Sequence, residues 1–451
     1  MKSTIALSAT FLALATCFSA DNLSAQEFDQ PFGIESLGDI DNIAPIRQQI
    51  LKEEEWLRWR KENIVPEVMR RVGVDMWLVG RSERPLYYSL VTANYEGLVN
   101  TRSAALVFYD RGGDEGVEEI VVGRGDLAEI VSSRNPQKIG MSENASGRFT
   151  ESLGSELASR FVVTDDLRTG FLEKRSPDEI STFHHAARVA YDIIGEAFSN
   201  AVIVPDVTTT DDVNWWIRQR YRELGLETSD HPTITIQRSN LERPKYAEDD
   251  EHFRIDVRPR NGYNKIIRRG DVIACDTGII YYGWGTDTQQ NAYVLLEDET
   301  DVPHGLKVAF DNTNRLQNHI AAAFEVGKGA NDIVNDSLLA ARADGLRPFI
   351  YGHPLPYYLR RYSSNGGFIR VRYGAGPGLG GNELLEDSPL WPPGGYPVYA
   401  NTTYAMEIHT MTAVPEWGGQ DVRITMEQNV VMTDDGLKFL GGRQTEWYVI
   451  R

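Results

Sequence analysis

The chain has 451 residues and a formal net charge of −19, with 41% hydrophobic and 25% charged residues. This length allows two or three domains and a large core that needs no disulfide bonds. Because so acidic a surface repels phosphate backbones, the composition argues against nucleic acid as a partner.

The first residues predict export. Lys2 precedes an apolar run over residues 5–18, and polar residues follow. The run is too short to anchor the chain in a bilayer and is typical of a secretory signal peptide, with cleavage after Ala20 or Ala25. We therefore expect residues 1–25 to be removed, the protein to be periplasmic or extracellular, and no segment to span a membrane.

The two cysteines have ordinary interpretations. A lipoprotein anchor on Cys17 is an alternative interpretation, but Thr16 before it fits such an anchor poorly. Removal of the signal peptide leaves Cys275 alone, which excludes an internal disulfide in the exported protein. Cys275 ends the apolar run 271–275 and is interpreted as a buried strand residue, with a nucleophile as the less favoured alternative.

The N-terminal region is interpreted as a small α/β domain, over residues 40–172. Apolar residues at helical spacing predict a helix over residues 46–72. Short apolar runs at 75–79, 104–108 and 119–122, separated by Gly and Asp turns, predict strands.

A capping box marks the start of the second domain, over residues 176–451. Ser176 is the predicted N-cap, proline follows it and Glu179 lies three residues later. A helix from there to about residue 199 is predicted, and a second helix begins near Thr209 or Thr210. Further along, helices are expected at about 305–325 and 330–343, among strands and loops. Residues 351–400 are rich in Gly, Pro and Tyr and are expected to form long ordered loops that line a site.

Two aspartates flank a Gly-rich turn. Asp287 follows Asp276 by eleven positions, so on one continuous strand the two would lie on opposite faces. In a hairpin that turns at Tyr281-Tyr282 they become direct cross-strand partners, with Cβ atoms roughly 5 Å apart. Two carboxylates this close repel each other unless a cation or a proton lies between them. The spacing suits two metal ions about 3.5–4 Å apart with one bridging carboxylate.

Three more candidates lie downstream. His353 lies in Tyr-Gly-His-Pro-Leu, while Glu407 and Glu427 interrupt apolar strand-like runs in which an unpaired carboxylate is costly to bury. Each alone is compatible with a surface-facing strand residue. In the order Asp, Asp, His, Glu, Glu, they indicate a shared metal site.

This order resembles the pita-bread metallopeptidases, the family of methionine aminopeptidase, proline aminopeptidase and prolidase. The resemblance is carried by the aspartate hairpin with Gly270-Asp271 before it, by His353-Pro-Leu, and by Met406-Glu407 and Met426-Glu427. Residues 40–172 resemble the N-terminal domain of prolidases and creatinases. The resemblance implies an α/β (α+β) fold, with a small N-terminal α/β domain followed by a C-terminal pita-bread catalytic domain.

The resemblance also implies a role for each ligand. Asp276 would bind one metal ion through both oxygens, Asp287 and Glu427 would bridge, and His353 and Glu407 would complete the shell of the second ion. Four carboxylates balance two dications, and Glu407 is the candidate for moving the proton in catalysis. One nitrogen and many oxygens suit Mn²⁺, Zn²⁺ or Co²⁺ without selecting among them.

Two residues are candidates for binding the substrate. His252 lies where the family places a substrate-contacting histidine, although its charged neighbours are also typical of an exposed loop. Relatives carry a second histidine seven residues after the metal histidine, and here that position is Arg360, in a segment that looks lengthened. An arginine suits a substrate carboxylate. Arg361 or Arg372 could fill the same role, and the alternative is that all three are solvated loop residues.

Two other motifs give weaker evidence of function. Residues 376–381 fit the glycine pattern of a dinucleotide site, but no strand–helix–strand context follows them. His184 and His185 are adjacent on a predicted helix and point about 100° apart, which makes them a poor metal site.

We expect an exported metallopeptidase, a homodimer, that hydrolyses peptides or dipeptides next to proline with two divalent metal ions. A metal-independent C–N hydrolase of the creatinase kind is a second hypothesis, against which the intact ligand set argues. A non-catalytic peptide-binding module on the same fold is the third.

Overall fold

The described part of the chain begins after the predicted signal peptide. The computed structural model describes residues 43–91, 98–99, 104–123, 125–228, 230–246, 265–355, 357–363, 368–373, 390 and 392–451. His252 and the Gly-rich segment 376–381 lie outside these residues. Among the helices that the structure describes, none has the length and apolar composition of a membrane-spanning segment.

Helices and short strands alternate in the N-terminal part. The elements are α1 (Ile46–Val72), β1 (Met76–Gly80), α2 (Arg84–Leu90), β2 (Leu98–Val99), β3 (Ala105–Asp110), β4 (Val117–Val122), α3 (Leu127–Arg134), β5 (Ile139–Met141), α4 (Glu143–Ala158), β6 (Phe161–Val163) and α5 (Asp166–Glu173). Five strands form a sheet in the order β4-β3-β1-β5-β6. The predicted first helix and the three predicted strands are confirmed.

The core of this part forms around β1. All five residues of β1 are buried, as expected for a central strand covered on both faces. Val65, Val68 and Met69 of α1 and Phe171 of α5 belong to the same apolar cluster as Trp77 of β1. The apolar stripe of α1 is therefore the face that packs against the sheet.

The C-terminal part is a large sheet with helices. Its elements are α6 (Pro177–Ala197), α7 (Thr210–Glu223), β7 (Thr233–Gln237), β8 (Val272–Thr277), β9 (Ile280–Tyr281), β10 (Trp284–Gly285), β11 (Thr288–Val294), α8 (His304–Ala323), α9 (Ala330–Ala343), β12 (Pro348–Pro354), β13 (Tyr357–Ser363), β14 (Phe368–Tyr373), β15 (Thr402–Val414), β16 (Gln420–Thr433), β17 (Gly436–Phe439) and β18 (Tyr448–Ile450). The sheet order is β12-β15-β16-β11-β8-β7, with β17 added to β16 and β18 to β11.

The predicted capping box opens α6. The Ser176 hydroxyl accepts a hydrogen bond from the Glu179 backbone N–H at 3.1 Å, and the Glu179 carboxylate accepts one from the Ser176 N–H at 2.8 Å. Two N–H groups that the first turn leaves unpaired are thereby satisfied. Thr209 and Asp212 form a second capping box on α7. The predicted helix starts near residues 176 and 209 are confirmed.

Alternation along β15 separates an apolar face of the large sheet from a polar one. Met406 and Ile408 join the apolar cluster that contains Leu316 and Ile320 of α8. Glu407, between them, projects to the opposite face because successive strand residues alternate. Helix α8 therefore packs against the apolar face of β15, and Glu407 projects from the other face.

The expectation of long loops over residues 351–400 was wrong for residues 357–363 and 368–373, and residues 374–389 lie outside the described residues. β13 and β14 form an antiparallel hairpin, and β13 also pairs with β10 and with β2. Aromatic and aliphatic residues recur along both strands, and Asn365-Gly366 between them is a common hairpin turn sequence. These local signals outweigh the Gly and Pro content of the whole stretch.

Candidate metal centre

One residue from each of six strands lies on a single line across the large sheet. In order from β7 to β12, the directly opposed residues are Thr233, Asp276, Gln289, Glu427, Glu407 and Tyr351. Directly opposed residues share a face of a sheet. Strand register alone therefore brings three of the five predicted ligands onto one surface.

The other two predicted ligands lie beside this line and meet Glu427. Asp287, His353 and Glu427 each offer one ligand atom within 4.8 Å of the others. His353 Nε2 is 3.5 Å from Asp287 Oδ2 and 3.6 Å from Glu427 Oε1. A nitrogen and two carboxylates at this spacing could hold one divalent cation.

The histidine turns its Nε2 atom toward the carboxylates. His353 Nδ1 lies 3.1 Å from the carbonyl oxygen of Pro354. A carbonyl only accepts hydrogen bonds, so Nδ1 carries a proton, and Nε2 is the ring atom that could bind a cation. A backbone carbonyl that fixes the tautomer in this way is the usual support of a metal-binding histidine.

The aspartate hairpin differs in register from the prediction. Asp276 lies opposite Gln289 rather than Asp287, and the tight turn is at Tyr282-Gly283, between the paired residues Tyr281 and Trp284. Both turn residues have positive φ, 50° and 76°, as the favoured two-residue hairpin turn requires. The direct pairing of the two aspartates was therefore wrong. The observed partner of Asp276 lies two positions from the predicted one. Because side chains alternate along a strand, both aspartates still lie on the same face.

A close approach of the backbone explains the offset. Between the two strands, the Ile279 N–H donates to the Thr286 side-chain oxygen, and the Thr286 N–H donates to the Ile279 carbonyl. A Cβ on Gly278 would lie 2.0 Å from the Thr286 carbonyl oxygen. Only glycine allows the two chains to come this close before the turn.

Burial raises the pKa of the central carboxyl groups. Desolvation raises the pKa of Asp287 to about 6; the charge of His353 opposes the rise, whereas Glu407 adds to it. Desolvation and the charges of Asp287, Glu407 and Asp276 also raise the pKa of Glu427 well above its ordinary range. In this environment, a cation between the carboxylates would stabilise their charged forms.

A buried oxygen of Glu427 without a hydrogen-bond partner tests whether a metal ion fits this site. Glu427 Oε1 is buried and has no hydrogen-bond donor. A buried carboxylate oxygen without a partner is costly, and this one faces His353 Nε2 across 3.6 Å. The donor set and the missing partner both fit a divalent cation.

Sequence reasoning missed two amides of the centre. The Gln289 side chain donates to Glu407 Oε1 at 2.9 Å and to Glu427 Oε2 at 3.1 Å. The Asn429 side-chain oxygen accepts the Asp287 backbone N–H at 3.0 Å. Both residues lie two positions along a strand from a predicted ligand, and that spacing was the available signal.

The structure also describes the strand of Arg360, the two adjacent histidines and Cys275. Arg360 is in β13, opposite Arg370, so the interpretation of its segment as a loop was wrong. His184 Nδ1 accepts the Gly441 N–H, and the His185 ring packs against Tyr281. Cys275 is buried, and burial raises the pKa of its thiol, which agrees with a strand residue and not with a nucleophile.

Comparisons with known proteins identify the family of the chain. The model of metallopeptidase family M24 matches residues 182–434, more than half of the chain. No curated protein sequence gives a match. Among solved structures, an X-Pro aminopeptidase from Thermotoga maritima is 13% identical, with a TM-score of 0.53 over 85% of this chain and 99% of that one. A dipeptidase from Mycobacterium ulcerans is 15% identical, with a TM-score of 0.50 over 88% of this chain and 98% of that one. The chain belongs to metallopeptidase family M24, has its pita-bread fold and is a peptidase that uses a divalent metal.

Proposed function

We propose that this metallopeptidase is exported, binds two divalent metal ions and hydrolyses peptide bonds next to proline. The observation that carries the proposal is the convergence of Asp287, His353 and Glu427 beside the line of Asp276 and Glu407. Two ions rather than one are proposed because four carboxylates and one histidine supply more donors than a single ion of this kind takes.

The five side chains would have different roles. Asp287, His353 and Glu427 would hold one ion, and Asp276 and Glu407 would complete the shell of the pair. The bound cations supply Lewis-acid activation of the peptide carbonyl and of the attacking water. Glu407 would accept the proton from that water and later give it to the leaving amine, since it is the buried carboxylate at the end of the acidic line.

The choice of proline rests on likeness of fold. The X-Pro aminopeptidase of Thermotoga maritima aligns with 85% of this chain at a TM-score of 0.53. Arg360 stands where relatives have a histidine, so we expect weak activity on standard proline substrates and a preference for ligands with a free carboxylate. His252 would contact the substrate from the segment between β7 and β8.

Export and assembly complete the proposal. The apolar run over residues 5–18 after Lys2 supports removal of the first 25 residues and a periplasmic or extracellular location. N-terminal sequencing of the native protein should give a start between Asp21 and Glu27; recovery of Met1 on cytoplasmic protein would contradict export. We expect a homodimer, which light scattering of the purified chain measures.

Metal content and turnover test the central claim together. The purified mature protein is stripped with a chelator, reloaded with Mn²⁺, Zn²⁺ or Co²⁺, and analysed for metal per chain and for activity on X-Pro dipeptides and tripeptides. Two ions per chain with metal-dependent cleavage are expected, and His353→Ala should lose both. Tight binding of the peptides without cleavage would favour the peptide-binding module. Metal-independent C–N hydrolysis would favour the creatinase-like alternative.

A further inference from the structure

Gln289 lies at the centre of the acidic line. It is directly opposed to Asp276 on one side and to Glu427 on the other, and only 4% of its surface is exposed. It is the neutral member among four polar residues that cross the sheet from Asp276 to Glu407. A fourth carboxylate at this position would raise the repulsion further, whereas an amide adds donors without charge.

The side-chain amide of Gln289 donates one hydrogen bond to each of two glutamates. Its nitrogen donates to Glu407 Oε1 at 2.9 Å and to Glu427 Oε2 at 3.1 Å. The other oxygen of Glu427, Oε1, faces His353 Nε2 and has no donor. The amide therefore selects which oxygen of Glu427 is turned toward Asp287 and His353.

We propose that Gln289 is a positioning residue of the metal centre: its side-chain amide holds Glu407 and Glu427 side by side and aims Glu427 at the cation. Charged acceptors make strong hydrogen bonds, and one amide nitrogen that donates to two carboxylates fixes both rotamers. The inference rests on the metal site of the proposed function and extends it to a residue outside the ligand set.

The test compares two glutamines on the same strand. Gln289→Met keeps the length of the side chain and removes the donors. Gln290→Met is the matched control, because Gln290 is equally buried but lies on the opposite face, where it accepts a hydrogen bond from Tyr448. Each full-length protein is stripped of metal and titrated with Mn²⁺ by calorimetry, and the thermal midpoint of the metal-free form is recorded.

The expected result is a loss of Mn²⁺ affinity of about 10–100-fold in Gln289→Met, the range typical of residues that orient metal ligands. Gln290→Met should bind Mn²⁺ like the wild type. Equal affinity in Gln289→Met and wild type, or equal losses in both variants, would overturn the role of Gln289 alone. A wild type that binds no Mn²⁺ would overturn the metal site itself.

A second variant covers the case in which Gln289→Met does not fold. Gln289→Asn keeps an amide at the same strand position but shortens the side chain by one methylene, so the amide no longer reaches both glutamates. The same fall in Mn²⁺ affinity is expected, with a folded metal-free protein by circular dichroism. Wild-type affinity in Gln289→Asn would contradict the proposal.

Discussion

Glu407 on β15 and Glu427 on β16 are directly opposed, and only 8% and 1% of their surfaces are exposed. The ladder between these strands runs without a break from Thr402 opposite Met432 to Val414 opposite Gln420. Backbone pairing over this length fixes the register, so the Cα atoms of the two glutamates cannot move apart. The sheet thus forces together two like charges that water would separate, and a cation relieves the repulsion.

Replacement of Glu407 by glutamine separates chemistry from folding. The amide keeps the shape of the side chain but cannot accept a proton, so kcat should fall by about 10²–10⁴-fold. Thermal unfolding should change little. Asp434→Asn, an exposed change in the turn after β16, serves as the control and should retain wild-type kcat. Full activity in Glu407→Gln would show that another group moves the proton.

Replacement of Glu427 by glutamine should have opposite effects on the metal-free and metal-loaded protein. Because burial and neighbouring carboxylates raise the pKa of Glu427, its charge destabilises the metal-free fold at neutral pH. Removal of that charge should keep or raise the metal-free Tm. Excess Mn²⁺ should stabilise the wild type by about 2.7 kcal/mol at 100 times Kd and stabilise the variant far less. Differential scanning calorimetry with and without Mn²⁺ measures both, and equal Mn²⁺ stabilisation of the two proteins would contradict the role of Glu427.

The helices and the acidic residues were predictable from local signals. Ser176 and Glu179 fix a helix start because a capping box needs only four consecutive residues. Glu407 and Glu427 stood out because a charge in an apolar strand needs a partner. Each of these features depends on residues close together in the sequence, so it can be recognised without knowledge of the rest of the fold.

The register and the supporting amides were not predictable in the same way. The two-residue offset of the aspartate hairpin depends on the close approach at Gly278, which the spacing of Asp276 and Asp287 does not reveal. Gln289 carries no charge, and its spacing of two positions from Asp287 does not by itself indicate a role. Its role follows only from β16 and β15 lying beside β11, and those strands are more than a hundred residues away in the sequence.

Gly278→Ala should misalign the aspartate hairpin. The added Cβ would lie 2.0 Å from the Thr286 carbonyl oxygen. Both chains are backbone at this point, so relieving the clash requires a shift of the hairpin strands. We expect destabilisation by about 1–3 kcal/mol and weaker metal binding. Gly147→Ala is the matched control, since Gly147 is exposed in α4 with open space around its Cβ, and the substitution should stabilise or be neutral. Urea unfolding gives both values; unchanged stability in Gly278→Ala would show that the hairpin relaxes.

Glu173, at the end of α5, should make stability depend on pH. Its carboxylate accepts a hydrogen bond from the Tyr396 hydroxyl at 2.8 Å, and desolvation raises its pKa from 4.5 to about 7. A raised pKa favours the protonated form in the folded state, so this contribution is complete below pH 4.5 and is lost as pH rises to about 7. At about 1.4 kcal/mol per pH unit, the loss is about 3 kcal/mol.

Glu173→Gln removes this titration. The variant should gain stability relative to the wild type as pH rises from 5 to 8, by up to about 3 kcal/mol, because glutamine stays neutral throughout. Urea unfolding at four pH values measures the difference. The exposed change Glu129→Gln in α3 should give a curve parallel to that of the wild type. A difference that does not vary with pH would mean that Glu173 does not titrate in this range.

Arg360 should decide whether a free carboxylate on the substrate matters. Strand register places Arg360, Arg370 and Arg372 at positions that share one face of the β13–β14 hairpin, and Arg361 at a position on the other. A bidentate arginine–carboxylate pair contributes about 1.5–3 kcal/mol, so the free-acid forms of X-Pro peptides should be cleaved about 10–100-fold faster than the amidated forms, as kcat/KM. Arg360→Ala should abolish that ratio, whereas Arg361→Ala should retain it. Equal rates for acid and amide in the wild type would show that these arginines are solvated strand residues, and a ratio lost only in Arg361→Ala would assign the carboxylate to the other face of the hairpin.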